Sequence, residues 1–216
     1  MSNQKNLNII EIFPSIQGES TYQGEPCTFI RLSGCNLKCK YCDTLYSHEK
    51  GVEISQDTII KKVKEYKNKV VEITGGEPLL QKNSIELMEK LIDLGYTVLL
   101  ETNGSISIKN VPKDVISIVD IKSPASGMND KMSKENIEII RPHDQIKFVL
   151  MDRKDYLWAK EFVQKFNLTS RCKILFSAVF ESLPLNELAD WIVEDKLNVR
   201  LNVQIHKFIW GIDSRK

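Results

Sequence analysis

The chain lacks any run approaching the roughly 20 consecutive apolar residues that a bilayer-spanning helix needs. Its first residues, "MSNQKNLNIIEIF", lack a basic region followed by an apolar stretch of signal-peptide length. A soluble, cytoplasmic protein is expected. The chain also lacks an excess of charge of either sign. Thirty basic residues stand against 29 acidic ones, a net charge of +1, so no overall field draws it to nucleic acid or to an anionic membrane. Pro/Gly/Ser-rich linkers, low-complexity tracts and internal repeats are missing too. Residues 1–216 therefore read as one domain, with 42% hydrophobic and 27% charged content sufficient for a full core. Cysteine is scarce and odd in number, five in all. In a reducing compartment that argues against a disulfide framework and for metal or redox use.

What the sequence does contain is an alternation of short apolar runs with longer amphipathic ones. Strands are expected at 27–32, 70–73, 96–100, 115–119, 146–150, 173–176 and 199–203, rich in β-branched residues and apolar on both faces, as buried parallel strands are. Residues 57–67, 84–94, 153–166 and 184–195 carry apolar positions at helical spacing, for example Ile85, Leu87, Met88, Leu91 and Ile92. These are crossover helices. "TGGEP", "ETNG" and "DIKSP" each follow a predicted strand, and a cysteine-rich loop follows the first. In parallel α/β sheets ligands sit at the carboxyl ends of strands, so one site collects all four loops.

Within that first loop "CNLKCKYC" crowds Cys35, Cys39 and Cys42 together, while Cys27 and Cys172 stand apart. Three thiolates hold three irons of a [4Fe–4S] cluster that four cysteines would hold in a ferredoxin, leaving one iron open. An open metal position marks a reactive site. The alternatives are a zinc knot completed by Cys27 or His48, or cysteines that merely pack. In "TGGEP" the pair Gly75-Gly76 lets backbone approach a ligand without a Cβ clash, and Glu77-Pro78 fixes the exit toward the next helix.

The C-x3-C-x2-C spacing, with Tyr41 before the last cysteine, resembles the signature of the radical S-adenosylmethionine superfamily. The longer stretch "IFPSIQGESTYQGEPCTFIRLSGCNLKCKYCDT" (12–44), followed in order by "TGGEPLLQ", "ETNG", "DIKSP" and "LNVQIHKFIWGID", resembles the 7-carboxy-7-deazaguanine synthase family. The resemblance implies a carbon–nitrogen lyase of queuosine and 7-deazapurine biosynthesis. Its reaction would be radical ring contraction of 6-carboxy-5,6,7,8-tetrahydropterin to 7-carboxy-7-deazaguanine with loss of ammonia. It implies a [4Fe–4S] cluster on Cys35, Cys39 and Cys42, S-adenosyl-L-methionine, and Mg²⁺ on Thr44. An electron donor such as flavodoxin or ferredoxin would serve a homodimer. Since 216 residues are few for a closed (β/α)₈ barrel, an open partial barrel of about six parallel strands is expected, its missing wall closed by a partner or by the tail.

The same resemblance assigns the site. Gln17 and Glu19, with the backbone of Ile16 and Gly18, would read the alternating donors and acceptors of the pterin edge, although "QGES" alone reads as a polar turn. Arg31 would clamp the pterin carboxylate; otherwise it pairs with Glu25 or another surface acid. Thr74, Glu101 and His206 match substrate contacts, Glu101 also as a proton acceptor. Tyr41, Gly75, Gly76, Glu77, Lys122, Ser123 and Ser177 match cofactor contacts. By composition alone Glu101 reads equally as a turn cap and His206 as a core residue. Two departures stand out: the spacer between the first two cysteines is compact, and the chain continues past "HK" through "WGIDSRK", where Asp213 could replace a terminal carboxylate. A glycyl-radical activase and a zinc-binding interaction module remain alternative readings.

Overall fold

The computed structural model describes residues 5–211. Its strands are β1 (Asn6–Ile16), β2 (Pro26–Leu32), β3 (Val52–Ser55), β4 (Val70–Gly75), β5 (Thr97–Thr102), β6 (Ile116–Asp120), β7 (Gln145–Leu150), β8 (Lys173–Ala178) and β9 (Arg200–Leu201). Its α-helices are α1 (Gln56–Tyr66), α2 (Asn83–Asp93), α3 (Glu135–Ile139), α4 (Arg153–Lys165), α5 (Leu185–Glu194) and α6 (Ile205–Trp210). All the strands join one sheet in the order β3-β1-β2-β4-β5-β6-β7-β8-β9. From β2 through β4 to β9 every pairing is parallel, whereas β1 runs antiparallel to both β2 and β3. The sheet does not close on itself, so the fold is the expected open partial (β/α) barrel.

The crossover helices start where local chemistry stops the strand. Ser55 accepts from the Thr58 N–H to open α1, and Asp152 accepts from the Asp155 N–H to open α4, each satisfying an orphan donor of the first turn. The apolar stripes of α1, α2, α4 and α5 (Ile59 and Val63; Leu87, Met88 and Leu91; Tyr156, Ala159 and Val163; Leu188 and Ile192) pack on one face of the sheet with Val71, Ile73, Leu100, Val119, Phe148 and Phe176.

Strand side chains alternate between faces, so the residues between these point the other way, into the concave side. There a smaller apolar cluster of Cys27, Phe29, Val70, Leu99, Ile118 and Leu175 plugs the barrel. Nearer the carboxyl ends the inward positions turn polar: Arg31, Thr74, Glu101, Asp120 and Lys147 line a cavity.

Five elements differ from the expectations above, the short α3 (Glu135–Ile139), where no helix was expected, among them. β1 and β3 are antiparallel edge additions whose mixed patterns ("NLNIIEIFPSI", "VEIS") do not look like buried parallel strands, and Pro14 interrupts the first. α6 (Ile205–Trp210) forms where the sequence marks only His206 and its flanking residues. The last predicted strand, 199–203, shrinks to Arg200–Leu201. Asn202 leaves the strand to accept from the Ser20 N–H and to donate to Ser177 Oγ and Glu19 Oε2.

Candidate functional site

A cavity of about 490 Å³ opens at the carboxyl ends of the parallel strands. Of the residues singled out from the sequence, Ile16, Gln17, Gly18, Glu19, Arg31, Cys35, Cys39, Tyr41, Cys42, Thr44, Thr74, Gly75, Gly76, Glu101, Lys122 and His206 all line it. Glu77, Ser123 and Ser177 do not line it and lie behind it. Asp213 lies outside the described residues.

The three loop cysteines are free thiols, each partly buried. Asn103 donates from Nδ2 toward Cys35 Sγ at 3.6 Å and to Asn36 Oδ1 at 3.1 Å. Burial raises the Cys39 and Cys42 thiols, with Lys122 opposing. Cys27 sits in the apolar plug under the sheet and Cys172 in the helix-side core, so neither reaches the loop. Among the described residues, no three His, Cys, Asp or Glu side chains converge on a single-ion site, which a zinc knot requires.

The glycine pair has a structural role as well as the expected one. A Cβ on Gly75 would stand 2.2 Å from the Leu32 carbonyl oxygen, and Gly75 has φ +142°. A Cβ on Gly76 would stand 2.2 Å from the Gly34 carbonyl oxygen and 2.7 Å from Cys35 Cβ. The two glycines thus press the β4 turn against the cysteine loop, and the Glu77 N–H donates to Gly34 O at 2.8 Å. The fully buried Glu77 carboxylate accepts from Thr102 Oγ1, from the Asn103 N–H at 2.7 Å and from the Leu79 N–H. Glu77 therefore orients Asn103 toward Cys35.

Opposite the cysteines lies a charged layer that the sequence reading mostly missed. Lys147, buried on β7, reaches Glu101 in a short contact, Glu19 at 3.0 Å and Asp120 at 3.7 Å. Three carboxylates keep its ammonium charged against burial. Burial, aided by Glu19 and Asp120, lifts Glu101 to about 7, with Lys147 pulling the other way. That places a carboxyl near neutrality, where proton transfer is most effective. Glu19 faces the same burial, but Lys147 and the Gln204 amide (2.7 Å) hold its carboxyl below the usual range. Asp120 also receives Lys122 at 2.8 Å, yet its Oδ1 is buried with no hydrogen-bond partner among the described residues. A buried acceptor without a donor costs about 1–3 kcal/mol, which a ligand's donor would offset.

The remaining expected groups sit around this layer. Arg31 bonds through Nε to Glu11 at 2.7 Å, not Glu25, with its guanidinium beside the Phe13 and Tyr46 rings. Thr44 donates to Asp43 Oδ1 at 2.9 Å, and Lys207 pairs with Asp43 at 2.9 Å, tying α6 to the cysteine loop. His206 packs over Gly18, where a Cβ would fall 1.9 Å from its Nδ1; burial lowers the imidazole's pKa, opposed by Glu19. The Tyr41 hydroxyl, pushed up to about 12 by burial, donates to Val149 O at 3.1 Å and meets Ser123 Oγ at 3.0 Å. Ser177 supports Asn202, which donates to Glu19. The missed residues Glu72, Asp120 and Lys147 carried one available signal: a lone charge inside an apolar strand run is costly without a site to face.

A three-thiol loop, a glycine turn locked to it and an orphan acceptor across the cavity fit an iron–sulfur cluster with a polar ligand beside it. Comparison with known proteins agrees. Residues 29–119 match the model of the Radical SAM superfamily. The chain is 44% identical to 7-carboxy-7-deazaguanine synthase of Koribacter versatilis, across 97% of this chain and 99% of that one. It is 41% identical to the enzyme of that name from Chlorobaculum tepidum, across 100% and 99%. QueE from Escherichia coli shares the fold, with a TM-score of 0.75 at 20% identity over 91% of this chain and 93% of that one. Near-complete coverage at this identity, joined to the superfamily match, means that the chain belongs to the 7-carboxy-7-deazaguanine synthase family of radical SAM enzymes.

Proposed function

We propose that the protein converts 6-carboxy-5,6,7,8-tetrahydropterin to 7-carboxy-7-deazaguanine with release of ammonia, acting as a carbon–nitrogen lyase in queuosine and 7-deazapurine biosynthesis. The observation that carries this reading is a single cavity in which the three-cysteine loop faces the Gln17–Glu19–Glu101–Lys147 layer. Cys35, Cys39 and Cys42 would hold a [4Fe–4S] cluster. With S-adenosyl-L-methionine bound beside it, that cluster would supply the one-electron chemistry needed to remove the hydrogen from pterin C6. Every other task falls to the chain.

Arg31 would exchange part of its contact with Glu11 for the pterin carboxylate, a fork-to-fork pairing that a guanidinium makes well. Thr44 would place Mg²⁺ against the same carboxylate, since Mg²⁺ favours hard oxygens and keeps substrate oxygens and waters. Gln17, Glu19, Thr74 and His206, with the backbone of Ile16 and Gly18, would hold the ring; Glu101 would accept a proton as ammonia leaves. Tyr41, Gly75, Gly76 and Lys122 would hold the cofactor, with Glu77, Ser123 and Ser177 supporting them from behind.

A flavodoxin or ferredoxin would supply the electron. The open β9 edge and the exposed Phe208 and Ile209 of α6 favour a homodimer. Among the described residues no helix is long and apolar enough to cross a membrane, in keeping with a cytoplasmic setting. The test is anaerobic purification followed by turnover. Brown protein with iron and acid-labile sulfide that forms 7-carboxy-7-deazaguanine supports the proposal. Colourless protein with stoichiometric zinc, or turnover only on a glycyl-radical protein loop, overturns it.

A further inference from the structure

Glu19 and Glu72 both line the cavity, the Gln17 amide bonding the backbone of the first and the carboxyl of the second, and their carboxyls sit in opposite environments. Gln17 donates from Nε2 to Glu72 in a short contact and accepts at Oε1 from the Glu19 N–H at 3.0 Å. Glu19 is surrounded by donors: Lys147 at 3.0 Å, Gln204 at 2.7 Å and Asn202 at 3.2 Å. Glu72 has only the Gln17 amide as a hydrogen-bond partner, and no cation lies within ion-pair distance of it among the described residues.

Glu72 is 5% exposed and stands on β4 at the boundary between the apolar plug and the polar layer. From β2 the Cys27 thiol and the Phe29 ring lie beside it, and Arg31, two residues on, is engaged by Glu11. From β5 it faces Glu101, from the loop after β1 Glu19, and from β7 Lys147, whose ammonium is taken up by Glu19, Glu101 and Asp120.

We infer that Glu72 carries its proton in the working enzyme and is a specificity-determining residue. It donates an O–H to a carbonyl oxygen or ring nitrogen of the heterocycle, while ionised Glu19 accepts from the ring N–H and amino groups. This deepens the reaction proposed above and rests on it. Two like groups driven apart by their surroundings divide the donor and acceptor roles of a heterocyclic edge. Burial and the neighbouring Glu101 raise the Glu72 carboxyl to about 8, with Gln17 and Lys147 opposing, whereas Glu19 is held low. An ionised Glu72 would turn lone pairs toward the acceptor atom of the ring. A ligand lacking that atom would leave a buried donor unpaired, which is how such sites reject near-isosteres.

The test uses reconstituted holoenzyme and two readouts, turnover of 6-carboxytetrahydropterin and, without reductant, equilibrium binding of its oxidised analogue 6-carboxypterin, which has no C6 hydrogen, from about pH 6 to about pH 9. In the parent, binding weakens about tenfold or more as pH rises through about 8. In Glu72→Gln, which keeps a neutral donor at every pH, that loss disappears. The ligand's own ionisation is common to both proteins and cancels. An infrared carboxylic-acid band in the parent, bleached with the same midpoint and missing from Glu72→Gln, supports the assignment without relying on the variant's binding. Equal pH dependence in the two proteins, or no such band, overturns it while leaving the reaction standing. A parent that binds the pterin with this pH dependence but forms no product overturns the reaction and leaves the assignment of Glu72 standing.

Discussion

Glu72 and Ile73 are neighbours in β4 and face opposite sides of the same sheet. Ile73, fully buried, meets the apolar stripes of the crossover helices; Glu72 meets one amide and a cavity. The pattern repeats along β7, where Lys147 points into the cavity and Phe148 packs edge-on against Trp158, Phe162 and Phe176. On the helix side the apolar side chains of strands and helices pack against one another, and burial of apolar surface, roughly 25 cal/mol per Å², supplies stability. On the cavity side the charges satisfy one another incompletely. Among the described residues Asp120 Oδ1 has no hydrogen-bond partner, and Glu101 sits near neutrality. Stability and reactivity are thus carried by alternate residues of the same strands.

Substitutions on the two faces should separate these properties. The largest effect belongs to the cysteine loop: Cys39→Ala loses the iron–sulfur cluster and all turnover, whereas Cys27→Ala, in the plug, keeps its iron. Iron and sulfide analysis reads both, and normal iron in Cys39→Ala would break the assignment. Lys147→Met comes next. Removing the ammonium leaves buried carboxylates uncompensated, a loss of about 3–5 kcal/mol. The loss should be greater above about pH 7, where Glu101 ionises, and smaller below it, where Glu101 takes up a proton instead. Denaturant titration at two pH values measures this; a pH-independent loss would mean that Lys147 acts by packing alone.

Arg31→Lys should weaken pterin binding by about 1.5–3 kcal/mol, because an ammonium reproduces neither the fork nor the contact with the Phe13 and Tyr46 rings. Cofactor affinity should hold, and calorimetry with both ligands checks the split. The smallest effect is Ile73→Val, about 0.5–1.5 kcal/mol of stability with an unchanged pH profile of turnover. A shifted profile there would show that the two faces are not independent.

The loops of the site were legible because strand-end signals are local: "TGGEP", "ETNG" and the cysteine cluster announce themselves by glycine, carboxylate and thiol. The parallel strands were legible because both their faces are apolar. Glu72 and Lys147 were not, since "VVEI" and "IKFVL" look like buried strands carrying one incidental charge. Only the register of parallel pairing places those charges on the same side. β1 escaped because Glu11 and Pro14 break its pattern, and that same Glu11 proved to be the partner of Arg31. α6 escaped because its role is defined by partners far away in sequence, Asp43 for Lys207 and Gly18 for His206.

The central claim is that cofactor and pterin meet in one cavity, close enough for a hydrogen to pass between them. The direct measurement is turnover of 6-carboxytetrahydropterin deuterated at C6 by the anaerobic holoenzyme, with mass analysis of the recovered S-adenosylmethionine. If a hydrogen returns from 5′-deoxyadenosine after ring contraction, so that the cofactor would be regenerated and used catalytically, the account predicts deuterium in the recovered cofactor, with 7-carboxy-7-deazaguanine formed in excess over 5′-deoxyadenosine. Unlabelled cofactor, together with 5′-deoxyadenosine that accumulates without the deazaguanine product, would contradict it.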